Sequence, residues 1–157
     1  MSRISLLLVV TAVLVGGTAV APAAASITVP VSMSFTEQEF TPTCPLSDAY
    51  FCGRGIVLPY GKATETIHFE GGCGGGCDLR TIYLRQGSIV IEEPFNTAIC
   101  PGGCKPRGAG EPVNAVLSDR IIGGTGTFQD AAGHLDGTVT AAGNQSLVTF
   151  TGSIVLP

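Results

Sequence analysis

Charge is scarce in this 157-residue sequence, and positive charge is scarcest. Only 13% of residues are charged, with 8 Lys and Arg against 12 Asp and Glu. So few bases cannot neutralise a run of phosphates, which argues against a nucleic-acid partner or an anionic membrane surface. The short motifs of hydrolytic and nucleotide chemistry are also missing. There is no Gly-x-Ser-x-Gly elbow, no His-Glu-x-x-His, no Walker-type loop and no calcium loop, so nucleophilic and metal-assisted hydrolysis are disfavoured. No metal and no cofactor is expected. Helical periodicity is absent from the body of the chain. With 22 glycines, the sequence is too apolar for disorder and too rich in turns for a helical fold, leaving extended strands with many turns.

The first 25 residues differ from the rest. Arg3 supplies a cation, Ile4 to Val20 is apolar and uncharged, and Ala23-Ala24-Ala25 offers small residues to a signal peptidase. Residues 1–25 are therefore expected to be a signal peptide, cleaved after Ala25, and residues 26–157 a single secreted domain. An uncleaved anchor is the alternative, but about 17 apolar residues interrupted by Gly16-Gly17 are short for crossing ~30 Å of hydrocarbon. No Cys stands just beyond the expected cut to carry a lipid, so no stable membrane association is expected after cleavage.

All six cysteines (Cys44, Cys52, Cys73, Cys77, Cys100 and Cys104) lie beyond that cut. An even number in an exported chain reads as three disulfides. A four-thiolate zinc site built from Cys73-x-x-x-Cys77 and Cys100-x-x-x-Cys104 is the poorer choice in an oxidising compartment.

Period-two alternation marks the strands. Ile27, Val29, Val31, Met33 and Phe35 share one face of the first. In residues 62–70, Ala63, Ile67 and Phe69 oppose Lys62, Thr64, Thr66, His68 and Glu70. Residues 78–85 and 88–93 flank Gln86-Gly87 as a hairpin. Residues 113–122 follow, with Val113, Ala115, Leu117 and Ile121 on one face. Residues 134–142 and 147–156 come last, joined by a turn at Gly143-Asn144, with Val148, Phe150, Ile154 and Leu156 inward. Such a series calls for a sandwich or a barrel, and closure into a barrel removes aggregation-prone edges. Seven or eight strands are expected, and the favoured fold is all-β: an antiparallel up-and-down barrel with disulfide-bonded rim loops. Segments 37–61 and 94–112 are read as those loops. Loops 71–77 and 97–112 leave at the same end, so Cys77 with Cys100 and Cys73 with Cys104 competes with local pairing inside each Cys-x-x-x-Cys. Either choice leaves Cys44 with Cys52.

A strand running into Gly123-Gly124-Thr125-Gly126 superficially matches a dinucleotide-binding turn, but no helix follows to hold a pyrophosphate. The stretch from Gly123 to Val139 instead resembles the barrel-closing segment of the allene oxide cyclase and dirigent-like superfamily. Gly123, Gly124, Thr125, Gly126, Phe128, Ala132 and Gly133 carry the resemblance. It implies an eight-stranded antiparallel barrel with a lumen. The glycines serve structure, letting one strand end, loop over the barrel mouth and re-enter, with Phe128 as plug. No catalytic residue is transferred from the family.

His68 with Glu70, and His134 with Asp136, place an imidazole and a carboxylate two residues apart on one face, a pattern more often solvated surface than acid–base machinery. Phe69, Tyr83 and Phe150 are the candidate ligand-binding residues. Tyr83 shares a face with Thr81 and Arg85, either in a polar part of the lumen or outside. The expected function is binding of a small hydrophobic ligand. A cyclase or isomerase acting in the lumen, and a structural cell-surface interaction domain, are the alternatives. A carboxylate or tyrosine buried in the lumen separates them.

Overall fold

The computed structural model describes residues 25–39, 51–74, 76–94 and 113–157, with only the backbone for 39, 69–71, 113 and 114. The expected signal segment falls outside the described residues, apart from Ala25. Eight strands run in sequence order: β1 (Ile27–Glu39), β2 (Phe51–Leu58), β3 (Gly61–Gly72), β4 (Cys77–Leu84), β5 (Gly87–Pro94), β6 (Val113–Gly124), β7 (Ala132–Ala142) and β8 (Gln145–Leu156). Each pairs antiparallel with the next, and β1 closes on β8 from Ile27↔Leu156 to Gln38↔Gln145. The fold is therefore a closed, all-β, eight-stranded antiparallel up-and-down barrel, the architecture expected, with alternation marking seven of the strands.

One strand departs from the sequence reading. Residues 37–61 are not a single rim loop, because β1 continues to Glu39 and β2 lies within the segment. Gly53 and Gly55 sit at the inward positions of β2, between Phe51 and Val57, and remove the apolar beats that would have marked it. Their absent side chains make room for neighbours. Gly55 pairs with Phe35, and a Cβ there would stand 2.6 Å from the Phe35 ring. Gly137 pairs with Phe150 in the same way, its Cβ position 2.3 Å from that ring. Two large rings thus lie against the barrel wall over glycines, filling a narrow lumen without bursting it.

The two ends of the barrel differ. At one, the β6–β7 connection passes through a short 3-10 helix, Gly126–Phe128, that inserts Phe128 into the mouth. Phe128 is fully buried and meets Tyr60 edge to face, with ring centroids 5.0 Å apart. The Gly-Gly-Thr-Gly run permits this approach: a Cβ on Gly124 would fall 1.8 Å from the Ser88 carbonyl, and Gly126 has φ +60 with its Cβ position 2.2 Å from the Gln86 carbonyl. Thr125 fastens the corner, its N–H donating to the Ser88 carbonyl while its hydroxyl accepts from the Ser88 N–H. Above the plug, Val57, Ile82, Ile89, Leu135, Val148 and Ile154 expose nothing to solvent, so no water-sized void touches them. This half of the lumen is filled.

At the opposite end, Cys77 pairs with Pro94, so the β3–β4 connection and the segment after β5 do leave on the same side. The crosswise disulfide is not formed. Cys73 and Cys77 are bonded to each other across the β3–β4 turn, which also removes two ligands from any four-thiolate zinc site. Local pairing suits a turn that already brings Gly72 beside Cys77 in register. Cys52 is likewise in a disulfide. Its expected partner Cys44, and Cys100 and Cys104, lie outside the described residues.

Replacing Gly124 by Ala drives a methyl into backbone and should cost at least about 2 kcal/mol, a fall in Tm of roughly 6 °C or more by thermal denaturation. Gly143→Ala, at φ +60 but with open space around it, should cost only about 1 kcal/mol. Equal effects would contradict the corner geometry.

Candidate functional site: a charged cluster inside the barrel

Toward the loop-bearing end charged side chains appear among the inward positions, beside the apolar Phe51 and Ile67. Alternation along β1 carries Val31, Met33 and Phe35 inward and then Glu37. Glu65 stands on the inward face of β3 between Ala63 and Ile67, and Asp119 on that of β6 between Leu117 and Ile121. On β4, Arg80 precedes Ile82, and on β5, Glu93 follows Ile91. Register sets Gly53 beside both Glu37 and Glu65. A Cβ at Gly53 would lie 2.3 Å from Glu65 Oε1, so the missing side chain provides the carboxylate's space.

Arg80 is the hub of this cluster. It is 2% exposed, and its Nη1 donates to Glu37 Oε1 at 2.6 Å and to Glu65 Oε2 at 2.5 Å. Its Nε donates to Glu93 Oε1. The guanidinium carbon stands 5.1 Å from the centre of the Phe150 ring, an arrangement favoured by the negative face of the ring. Phe150, a candidate ligand-binding residue, is thus the floor on which the cation rests. Burial works against the charge of Arg80, but Glu65, Glu93 and Glu37 together hold its pKa above the ordinary value.

One cation cannot neutralise four carboxylates, and two of them respond. Burial pushes Glu65 up to about 8 against the pull of Arg80, with the charges of Glu37 and Glu93 adding to the rise. Its Oε1 has no hydrogen-bond partner. Burial, followed by the charge of Glu93, pushes Asp119 up to about 8 as well, and Arg80 opposes this only in part. Asp119 is 1% exposed, and neither of its oxygens has a partner. Near neutral pH both groups hold a proton, which makes each a buried hydrogen-bond donor.

The other candidates stand elsewhere. Tyr83 is on the outer wall, its hydroxyl 3.3 Å from Thr66 Oγ1. The side chain of Phe69 lies outside the described residues. His134 and Asp136 are on the outer wall of β7 at 3.3 Å, both mostly exposed, consistent with a solvated face. His134 Nε2 is also 3.2 Å from Ser118 Oγ. His68 is half-buried, and the Glu70 side chain is not among those described. Tyr83, His134 and Asp136, all on the outer wall, do not join the Arg80 cluster.

No protein-family model matches this chain, and searches of curated proteins and of solved structures found no match.

The pKa shifts give stability a definite pH dependence. A carboxyl whose folded pKa exceeds its unfolded value contributes stability fully below the unfolded pKa, and that contribution is lost as pH rises through the folded pKa. For Glu65 and Asp119 this loss spans roughly pH 4 to 8. Glu92 acts oppositely: the hydrogen bond from Arg120, at 2.5 Å, lowers its pKa, so its contribution disappears under more acidic conditions. Thermal denaturation at constant ionic strength should show the highest Tm near pH 4–5 and a steady fall to pH 8. A Tm that rises across that interval would contradict the protonated pair.

Proposed function

We propose that this protein is a secreted binding barrel that takes a small, largely apolar molecule at its loop-bearing end and holds the molecule's polar group against Asp119. The carrying observation is Asp119 itself, a buried carboxyl with both oxygens unpartnered. Burying a polar group without a partner costs about 1–3 kcal/mol, and apolar residues of similar volume commonly stabilise a core more than buried ions do. A barrel selected only to stand would fill this volume with Leu or Val. The cost is understandable if a ligand supplies the missing bond.

The filled half above Phe128 restricts where the ligand's body belongs. A protonated Asp119 accepts from a ligand hydroxyl or amine through its carbonyl oxygen and donates through its hydroxyl. The resemblance of residues 123–139 to the allene oxide cyclase and dirigent-like superfamily is in keeping with a lumen-centred role. The N-terminal sequence supports export.

A cyclase or isomerase is the second reading, favoured by a carboxyl that keeps its proton up to about pH 8. A general acid works best with a pKa near the operating pH, and two such groups stand in one cluster. In that reading Asp119 donates a proton while Arg80 steadies the charge on its neighbours.

Native mass spectrometry of protein from its own culture medium tests the binding reading. The expected mass begins at Ser26, carries disulfides and includes a retained small molecule, which Asp119→Asn loses without loss of fold. A barrel that stays empty after exposure to lipid and polyketide extracts, or an adduct unaffected by Asp119→Asn, would reject it.

A further inference from the structure

The outer wall of β1–β4 carries a second arrangement, independent of the lumen. Register places Thr36, Arg54, Thr64 and Tyr83 side by side across four strands, and Ser34, Ile56 and Lys62 in the adjoining row. Arg54, Ile56, Lys62, Thr64 and Tyr83 line an open depression of about 580 Å³. Ile56 is 50% exposed and Tyr83 36%. Neither Arg54 nor Lys62 has an ion-pair partner among the described residues.

The charge pattern runs against that of the whole chain. The formal net charge is −4, yet the outward positions from Thr28 to Gln38, Arg54 to Leu58, Lys62 to His68 and Thr81 to Arg85 include no carboxylate. Arg54 offers a planar fork suited to an oxyanion and Lys62 a mobile ammonium, so the wall selects for negative charge. Beside them stand the hydroxyl residues Thr36 and Thr64 and the half-exposed Ile56 and Tyr83.

We propose that this wall binds an oligosaccharide bearing carboxylate groups. Its openness decides between anionic partners. A fatty anion would leave most of its chain in water along a shallow depression, whereas an acidic sugar keeps its outward hydroxyls solvated. One sugar face lies on Tyr83 and Ile56, its carboxylate meets Arg54 or Lys62, and its hydroxyls exchange hydrogen bonds with Thr36 and Thr64. The wall would hold the barrel on an acidic glycan while leaving the lumen free.

Calorimetric titration of the full-length secreted protein with trigalacturonate tests this, with maltotriose and laurate as comparators. Trigalacturonate should bind at least about ten-fold tighter than maltotriose and weaken as salt rises. Arg54→Gln combined with Lys62→Gln should weaken it by about ten-fold or more, since each lost charge-assisted bond matters on an exposed site. Tyr83→Ala should weaken maltotriose and trigalacturonate alike. Asp119→Asn should leave trigalacturonate binding unchanged, which separates this site from the lumen. No binding of trigalacturonate, equal binding of maltotriose, tighter binding of laurate, or affinity surviving the double substitution would each overturn the proposal.

Discussion

The structure depends on one buried cation. Arg80 hydrogen-bonds to carboxylates from β1, β3 and β5, so a single guanidinium links three strands and itself belongs to a fourth. Without its charge, three acidic side chains would face one another in a medium of low dielectric. Removing one partner from a buried ionic network typically costs about 3–5 kcal/mol for that reason. The cation also explains why the remaining acids behave unequally. Glu37, Glu65 and Glu93 all bond to it, Glu65 keeping a proton as well, whereas Asp119 has no bond to it and meets its burial with a proton alone.

From this follows the division of the barrel. The half closed by Phe128 is apolar and filled, stabilised by burial of isoleucine, valine and phenylalanine side chains and by rings laid over glycines. The half beneath the loops is ionic and carries unsatisfied oxygens. The apolar packing and the ionic cluster are thereby separated along the barrel axis. The apolar end fixes the strand register, and that register fixes where the charged side chains meet. The glycine-rich corner at residues 123–128 matters to the site only through this chain of dependence.

Much of the architecture is legible in the sequence because period-two alternation is a local signal. The β4–β5 hairpin, the β7–β8 hairpin and the inward positions of Val31, Met33 and Phe35 on β1 and of Leu117 and Ile121 on β6 follow from it directly. The strand β2 was not legible, since Gly53 and Gly55 replace side chains that Glu65 and Phe35 supply from neighbouring strands. The site was obscured for a related reason. Glu65 and Asp119 have the parity of their apolar neighbours, but a carboxylate on an apolar face becomes intelligible only with its counter-ion, and Arg80 comes from another strand. Parity alone, applied without exempting charged residues, would have placed both inside. Tyr83 shows the opposite limit, because alternation tells which residues share a face without telling which face is inward.

The central claim is that the lumen holds two carboxyls that stay protonated near neutral pH. Carbon-13 NMR titration of the Asp and Glu side-chain carboxyls measures it directly. The account expects two of them, assigned to Glu65 and Asp119, to ionise near pH 8. Ionisation of every carboxyl below about pH 5, the range of solvated acids, would contradict it.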